Sequence, residues 1–338
     1  MVEKNHPPFL SIVVVALNEA AHLPRLAASI RALQRPTGCD LETLLVDGGS
    51  SDGTAAAARE LGFDRVIELP KASIPVCRNG GVREAHGQWI AFIDADCEPS
   101  PDWLTTALPH LQNGQPVIIG WPVCPPTPAN WVQSAWHAHW QHKNTALRHA
   151  GTEPVTKDAF RLITTRNMIL ARAAFDQLRG FDEDLPTGED TDLVFRAYQA
   201  GLRVLAIPGL RVVHWGEPST IHQFFRQQLW HANRRSYGKI ARSSGGRVGA
   251  NAPLFTLAFA ATALLAVAGL AGSPVCPYAP TLILPLLSLL FLPAATISAR
   301  AGKLALIPQL MILYAAYGAA RTLDLMGFGR SKLSWKKP

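Results

Sequence analysis

Up to about residue 216 the apolar residues come in short β-branched runs separated by polar loops; after residue 249 they come in long uninterrupted stretches. The two patterns predict different structures. Residues 9–17 (FLSIVVVAL) are apolar on both faces, as in a central parallel strand covered by helices. Asn18 and Glu19 follow, then a helical pattern to about residue 34 with Leu23, Leu26, Ile30 and Leu33 on one side. The unit repeats as a strand over 41–46, the loop DGGSSDGT and a helix through AAAAREL that Asp52 is placed to cap. A third strand is expected over 65–69, a helix over 74–86 and a fourth strand over 89–93. This alternation predicts an α/β domain with a mostly parallel sheet, whose ligands bind outside the carboxyl ends of the strands.

The fourth strand ends in Asp94-Ala95-Asp96. Side chains alternate along an extended segment, so the two carboxylates point the same way. Such a pair suits a hard divalent cation, Mg2+ or Mn2+, held together with substrate phosphates, although D-x-D also occurs in ordinary solvated turns. Asn18, Glu19, Asp47, Asp52, Asp94 and Asp96 all fall at strand ends. Acids gathered at three such ends point to a binding crevice more strongly than any one of them as a turn residue.

Further along, 117–119 reads as a strand. The segment WVQSAWHAHWQHKNTALRH places Trp136 and Trp140 one helical turn apart, and His139 and His142 on one face. Its aromatics either line an acceptor pocket, touch lipid, or pack in a core; a zinc site is disfavoured by the spacing. A polar loop and strand are expected over 161–172. Glu189 and Asp190 then open a helix carrying Leu193, Val194, Ala197 and Tyr198 inward, where acids are ordinary partners of the helix dipole. Residues 207–215 (IPGLRVVHW) read as a last strand with His214 at its end. The amphipathic stretch 219–240 suits either a membrane interface or a plain surface helix.

Charge supports a membrane reading of the C-terminal part. The chain of 338 residues carries a formal +7 with only 17% charged residues, and none at all lie between Gly249 and Ala299. After Val248 seven basic residues stand against Asp324, leaving a net +1 for everything before. The basic excess thus belongs to the apolar part, and no nucleic-acid partner is expected. Residues 253–271 and 282–297 are long enough, or nearly so, to cross a hydrocarbon core of about 30 Å. Their connector is uncharged while basic residues flank the pair, which predicts a hairpin with the main domain in the cytoplasm. Residues 304–320 either span as well or lie along the interface. Five widely spaced cysteines without C-x-x-C propose neither a disulfide framework nor a zinc site, so a reducing compartment is the default. The first apolar run has no basic leader or cleavage pattern, and no signal peptide is expected.

As an ordered set, VVVALNEA, LLVDGGSSDGT, CRNGGVREAHGQWIAFIDADCEP, GFDEDLPTGEDTDLVFRAYQAG and VVHW resemble the family 2 glycosyltransferases of GT-A fold over roughly residues 9–216. The resemblance implies a nucleotide-diphospho-sugar transferase domain over 1–217, an interfacial helix and linker over 218–248, two or three membrane helices over 249–322 and a basic tail over 323–338. It further implies that Asn18, Glu19, Asp47 and Asp52 hold the nucleoside, that Arg78, Asn79 and Asp94 lie at the donor, and that Asp96, with Asp94, binds the metal. Asp190 would be the catalytic base, with Glu189, His214 and Arg226 near the diphosphate or acceptor. The implied reaction is inverting transfer from a nucleotide sugar, most commonly a UDP-sugar, to a lipid or lipid-linked acceptor at the inner face of the cytoplasmic membrane. Processive members carry Q-x-x-R-W; here Gln223 and Arg226 are followed by Gln227, which favours a non-processive enzyme. A nucleotidyltransferase on a related sheet, or a degenerate transferase serving as a membrane scaffold, are the alternatives.

Overall fold

The computed structural model describes residues 10–111, 117–147, 154–155, 160, 162–232, 236, 238–240, 251–270, 281 and 283–327. The expected strand start at Phe9, the connector 272–280, the linker 241–250 and the basic residues from 328 onward lie outside them. The chain divides into two compact units. The first holds the residues up to Pro126 together with Ala146–Gly216; the second holds Thr127–Thr145 and the chain from Glu217. The expected continuous domain over 1–217 is therefore interrupted by a helical segment that groups with the C-terminal helices.

The first unit is built on β1 (Leu10–Ala16), buried along its whole length as its two-faced apolar run requires. It pairs in parallel with β2 (Leu41–Asp47) on one side and β4 (Trp89–Asp94) on the other, and β2 pairs with β3 (Arg65–Glu68). The helices α1 (Leu23–Arg31), α2 (Thr54–Glu60) and α3 (Ile74–Glu84) connect them. Beyond β4 the sheet continues through β7 (Met168–Ala171), β6 (Val117–Gly120) and β8 (Arg203–Ala206), giving the order β3-β2-β1-β4-β7-β6-β8. Only β7 runs against its neighbours. Register levels the strand ends: Ala16 lies opposite Asp47, and Val15 opposite Asp94.

Three expectations are corrected. Residues 207–215 do not form one strand, because Pro208 lacks an N–H and Gly209 turns at φ +93°. The chain leaves β8 before that turn and re-forms as β9 (Val212–His214), which pairs antiparallel with the unexpected β5 (Cys97–Pro99) in a separate small sheet. Tyr198, on α7 (Glu189–Gln199), is 51% exposed and does not point inward; its ring lies 5.0 Å from Phe160 while Leu193, Val194 and Ala197 are buried. At α2 the capping position belongs to Gly53 (φ +86°), although Asp52 still accepts the Thr54 N–H at 3.1 Å.

In the second unit, α5 (Trp131–Lys143) and α8 (Ile221–His231) each begin with a capping box, Asn130/Gln133 and Thr220/Gln223. Trp136 of α5 is core, stacking on His139 at 4.5 Å and meeting Phe224 edge-on at 4.8 Å, and His139 Nδ1 lies 2.9 Å from the Tyr314 hydroxyl, whereas Trp131 at the helix start is exposed. The long apolar stretches form α9 (Asn251–Leu270), α10 (Ile283–Ala301) and α11 (Leu306–Leu325). Among the described residues α10 alone is long and apolar enough to cross a membrane, while α9 offers a shorter apolar stretch over 252–267. Gly318 lets α9 and α11 approach closely, since a Cβ there would lie 2.5 Å from the Phe259 ring. Leu254, Leu284 and Leu292 face outward, each more than 60% exposed.

Candidate active site

The carboxyl ends of β1 and β2 are tied into one rim. Asn18 adopts φ +57°, which turns its N–H onto Ser50 Oγ (2.8 Å) and its Oδ1 toward the Ser51 N–H (2.9 Å). Glu19 N–H donates to Thr54 Oγ1 at 2.9 Å and Ala20 N–H to Asp52 Oδ2 at 3.1 Å. Asp47 Oδ1 accepts the N–H groups of Gly49 and Ser50, at 2.9 and 2.7 Å, closing a tight loop after β2. Burial by itself would raise the Asp52 carboxyl, but hydrogen bonds from Thr54 Oγ1 and from backbone N–H groups outweigh it and hold the group below the usual carboxylate range.

Next along the rim, Arg78 of α3 is 5% exposed and bridges two acids that are distant in sequence. Its guanidinium lies 3.2 Å from Asp94 Oδ1 and donates to Glu189 Oε1 at the start of α7. Gly188, at φ +78°, lets the chain turn into that helix. Burial pushes the Glu189 carboxyl up to about 7, against the pull of Arg78 and with a further push from Asp190. Asp190 is half-buried beside it, with Oδ1 accepting the Thr191 N–H at 2.7 Å.

The raised Glu189 has a consequence for stability. Between about 4.5 and 7 the folded chain binds more protons at this residue than the unfolded chain, so this residue's contribution falls as pH rises. The thermal midpoint of the wild type relative to Glu189→Gln is therefore expected to decline across that interval. A difference that stays level or grows with pH would overturn the assignment.

The third part of the rim is the small sheet. His214 on β9 stands directly opposite Cys97 on β5. Its Nε2 lies 3.3 Å from Asp96 Oδ1, and all three residues are buried. Arg166 Nη1 reaches His214 Nδ1 at 3.4 Å, and the Trp215 N–H donates to the Asp96 carbonyl at 2.9 Å. A Cβ on Gly216 would sit 2.0 Å from Asp96 Oδ2 and 3.2 Å from His214 Nε2, so only glycine leaves that space open. Donor oxygens and an imidazole nitrogen at this spacing fit a divalent ion, because two ligands at bond lengths of about 2.0–2.1 Å lie roughly 3 Å apart.

The family model for glycosyl transferase family 2 matches residues 11–179, half of the chain. The chain belongs to glycosyl transferase family 2. Among its relatives are glycosyltransferase AglE of Haloferax volcanii, 31% identical over 118 residues (33% of this chain, 38% of that one). Pre-mycofactocin glycosyltransferase of Mycobacterium tuberculosis is 25% identical over 240 residues, covering 69% of this chain and 46% of that one. Beta-monoglucosyldiacylglycerol synthase of Trichormus variabilis is 27% identical over 208 residues, 56% of this chain and 41% of that one. The chain thus spans between 38% and 46% of the length of these relatives. The fold is that of a solved mannosyltransferase, PcManGT of Pyrobaculum calidifontis with GDP-Man and Mn2+ (TM-score 0.61, 19% identity, covering 94% of this chain and 87% of that one). Membership in the family gives this chain a family 2 glycosyltransferase domain, and the solved neighbour gives that domain a GT-A-like α/β core.

Within this family 2 transferase, the expected residues divide. Asn18, Glu19, Asp47 and Asp52 come together as the interlocked rim of β1 and β2, and Arg78, Asp94, Glu189 and Asp190 as the ion-paired cluster beside it. Asp96, just before β5, and His214, at the end of β9, meet at the edge of the small sheet. Asn79 differs: its side chain bonds Phe181 in both directions and Glu183 Oε1, all at 2.9 Å, and so braces the loop before α7. Arg226 is exposed on α8, in the second unit. Sequence reasoning passed over Arg166, Cys97 and Gly216. A histidine followed two residues later by glycine was the available signal for the last of them.

Proposed function

We propose that this transferase moves a sugar from a nucleotide-sugar donor, a UDP-sugar by family resemblance, to a lipid or lipid-linked acceptor, with inversion at the anomeric carbon. The observation that carries the reading is the gathering of Asp94, Asp96, His214, Glu189 and Asp190 along the carboxyl rim of the sheet. Asn18, Asp47 and Asp52 would frame the nucleoside loop. Asp96, with His214 and Asp94, would hold Mg2+ or Mn2+, which when bound offsets the negative charge developing on the departing diphosphate. Arg78 would keep Asp94 and Glu189 in place at the edge of the donor site. Asp190 would take the proton from the acceptor hydroxyl, a role that asks for hydrogen-bond reach and not for a strongly raised pKa.

The apolar helices α9 and α10 support a membrane hairpin, with α11 either crossing as a third span or lying along the interface. The basic residues flanking the hairpin favour a catalytic unit on the cytoplasmic side of the inner membrane. The full chain reconstituted in lipid, incubated with a panel of nucleotide sugars and Mn2+, is expected to give one glycosylated lipid class and a free nucleoside diphosphate. Release of pyrophosphate, or no product from any donor, would refute the reading.

A methyl group at Gly216 provides a separate check on the metal ligands. Gly216→Ala would place its Cβ 2.0 Å from Asp96 Oδ2 and force that carboxylate aside. Mn2+ affinity is expected to fall by about 10–100-fold, the loss typical of disturbing the support of a metal ligand. Electron paramagnetic resonance of free Mn2+ reads this directly, and an unchanged affinity would count against Asp96 as a ligand.

A further inference from the structure

Cys97 has no part in the chemistry above, yet it stands where a ligand would. It is 1% exposed, follows Asp96 directly, and faces His214 across the β5/β9 pair. Opposed residues of an antiparallel pair share a face with Cβ atoms about 4.5–5.5 Å apart. One ligating atom each from Asp96, Cys97 and His214 lie within 4.8 Å of one another, and the oxygen and nitrogen are already 3.3 Å apart. Around a tetrahedral ion with bonds of about 2.0–2.3 Å, ligating atoms sit roughly 3.3–3.6 Å apart, so a movement of about 1 Å at the sulfur closes the set.

A carboxylate, an imidazole and a thiol are a mixed set that suits zinc-like ions, whereas Mg2+ and Mn2+ favour oxygen. We propose that Asp96, Cys97 and His214 form a three-ligand site for a thiophilic divalent cation of the Zn2+ or Cd2+ class, with the fourth position open. On binding, the Cys97 thiol releases its proton to solvent, its sulfur bonds the ion as thiolate, and His214 coordinates through Nε2 as the neutral ring. The site shares Asp96 and His214 with the hard-ion site of the proposed function, on which this exclusion rests, so the two ions exclude each other. Thiophilic metal would then block Mn2+ at this rim, and the residue type at position 97 would decide how strongly.

The test uses the full chain in lipid without donor or acceptor, so its outcome does not depend on which sugar is transferred. Titration with Cd2+ is expected to produce the ultraviolet cadmium–thiolate charge-transfer absorption, saturating near equimolar metal and removed by Zn2+. Cys97→Ser is expected to lose the absorption, His214→Ala to weaken the titration, and Cys124→Ser to keep it. Excess Mn2+ is expected to shift the Cd2+ curve to higher concentration. Thermal midpoints of the variants without metal verify folding. Absorption that survives in Cys97→Ser, or that never appears in the wild type, would overturn the proposal.

Discussion

Asp96→Ala is expected to abolish donor binding that depends on metal. Asp96 is 2% exposed, lies 3.3 Å from His214 Nε2, and is crowded by the backbone of Gly216. A carboxylate in so closed a setting has little freedom to be replaced by a neighbour. Removing a ligand that supports charge on the leaving diphosphate forfeits several kcal/mol of transition-state stabilisation, about a 10²–10⁴-fold loss in kcat/KM. The measurement is nucleoside diphosphate affinity with and without Mn2+. The wild type should bind more tightly with the ion, and the variant should bind equally weakly in both conditions. Retention of the Mn2+ effect in Asp96→Ala would remove this residue from the metal site.

Asp190→Asn should separate chemistry from binding. Its side chain stands at the first turn of α7, held by the Thr191 N–H, next to the Arg78-bound Glu189. Asparagine preserves the shape and the hydrogen bond but cannot accept a proton. General-base catalysis contributes roughly 10²–10⁴-fold, so kcat should fall by about that factor while nucleoside diphosphate affinity stays within about twofold. The result also reports on the acceptor. A hydroxyl acceptor needs the base, whereas a lipid phosphate is already an anionic nucleophile and does not. Near-normal turnover in Asp190→Asn, with donor and metal binding intact, would refute the base assignment and point to a phosphate acceptor.

The central half of the sheet was legible because burial on both faces leaves an unmistakable mark. β1, β2 and β4 are apolar runs ended by Asn18, Asp47 and Asp94, and parallel pairing then brings those ends level. The rest depended on contacts that no local pattern encodes. Arg78 and Glu189 meet across 111 positions of chain, and a basic residue in a helix gives no sign of which acid it will find. The strand expected over 207–215 contains β9, but its partner β5 was missed because it has only three residues, too few for an alternation to be recognised. The resemblance alone put Asn79 near the donor, and no local pattern foretold that its amide bonds Phe181 and Glu183. The Trp- and His-rich helix could have faced lipid, ligand or core by composition alone; the packing of Trp136 on Phe224 and His139 gives it one core face.

The reversed strand β7 changes what the sheet can offer its ligand. Met168, its first residue, pairs with Phe92 and Gly120, so the segment entering β7 arrives at the same rim that its parallel neighbours leave. Arg166 reaches His214 by this route. The rim is therefore furnished from two directions: departing segments carry the acids after β1, β2 and β4, and an arriving segment carries a cation. Because the two come from separate stretches of chain, the arriving segment can diverge in length and chemistry while the departing acids keep their positions. One inverted strand thus gives an otherwise uniform edge an independently adjustable side.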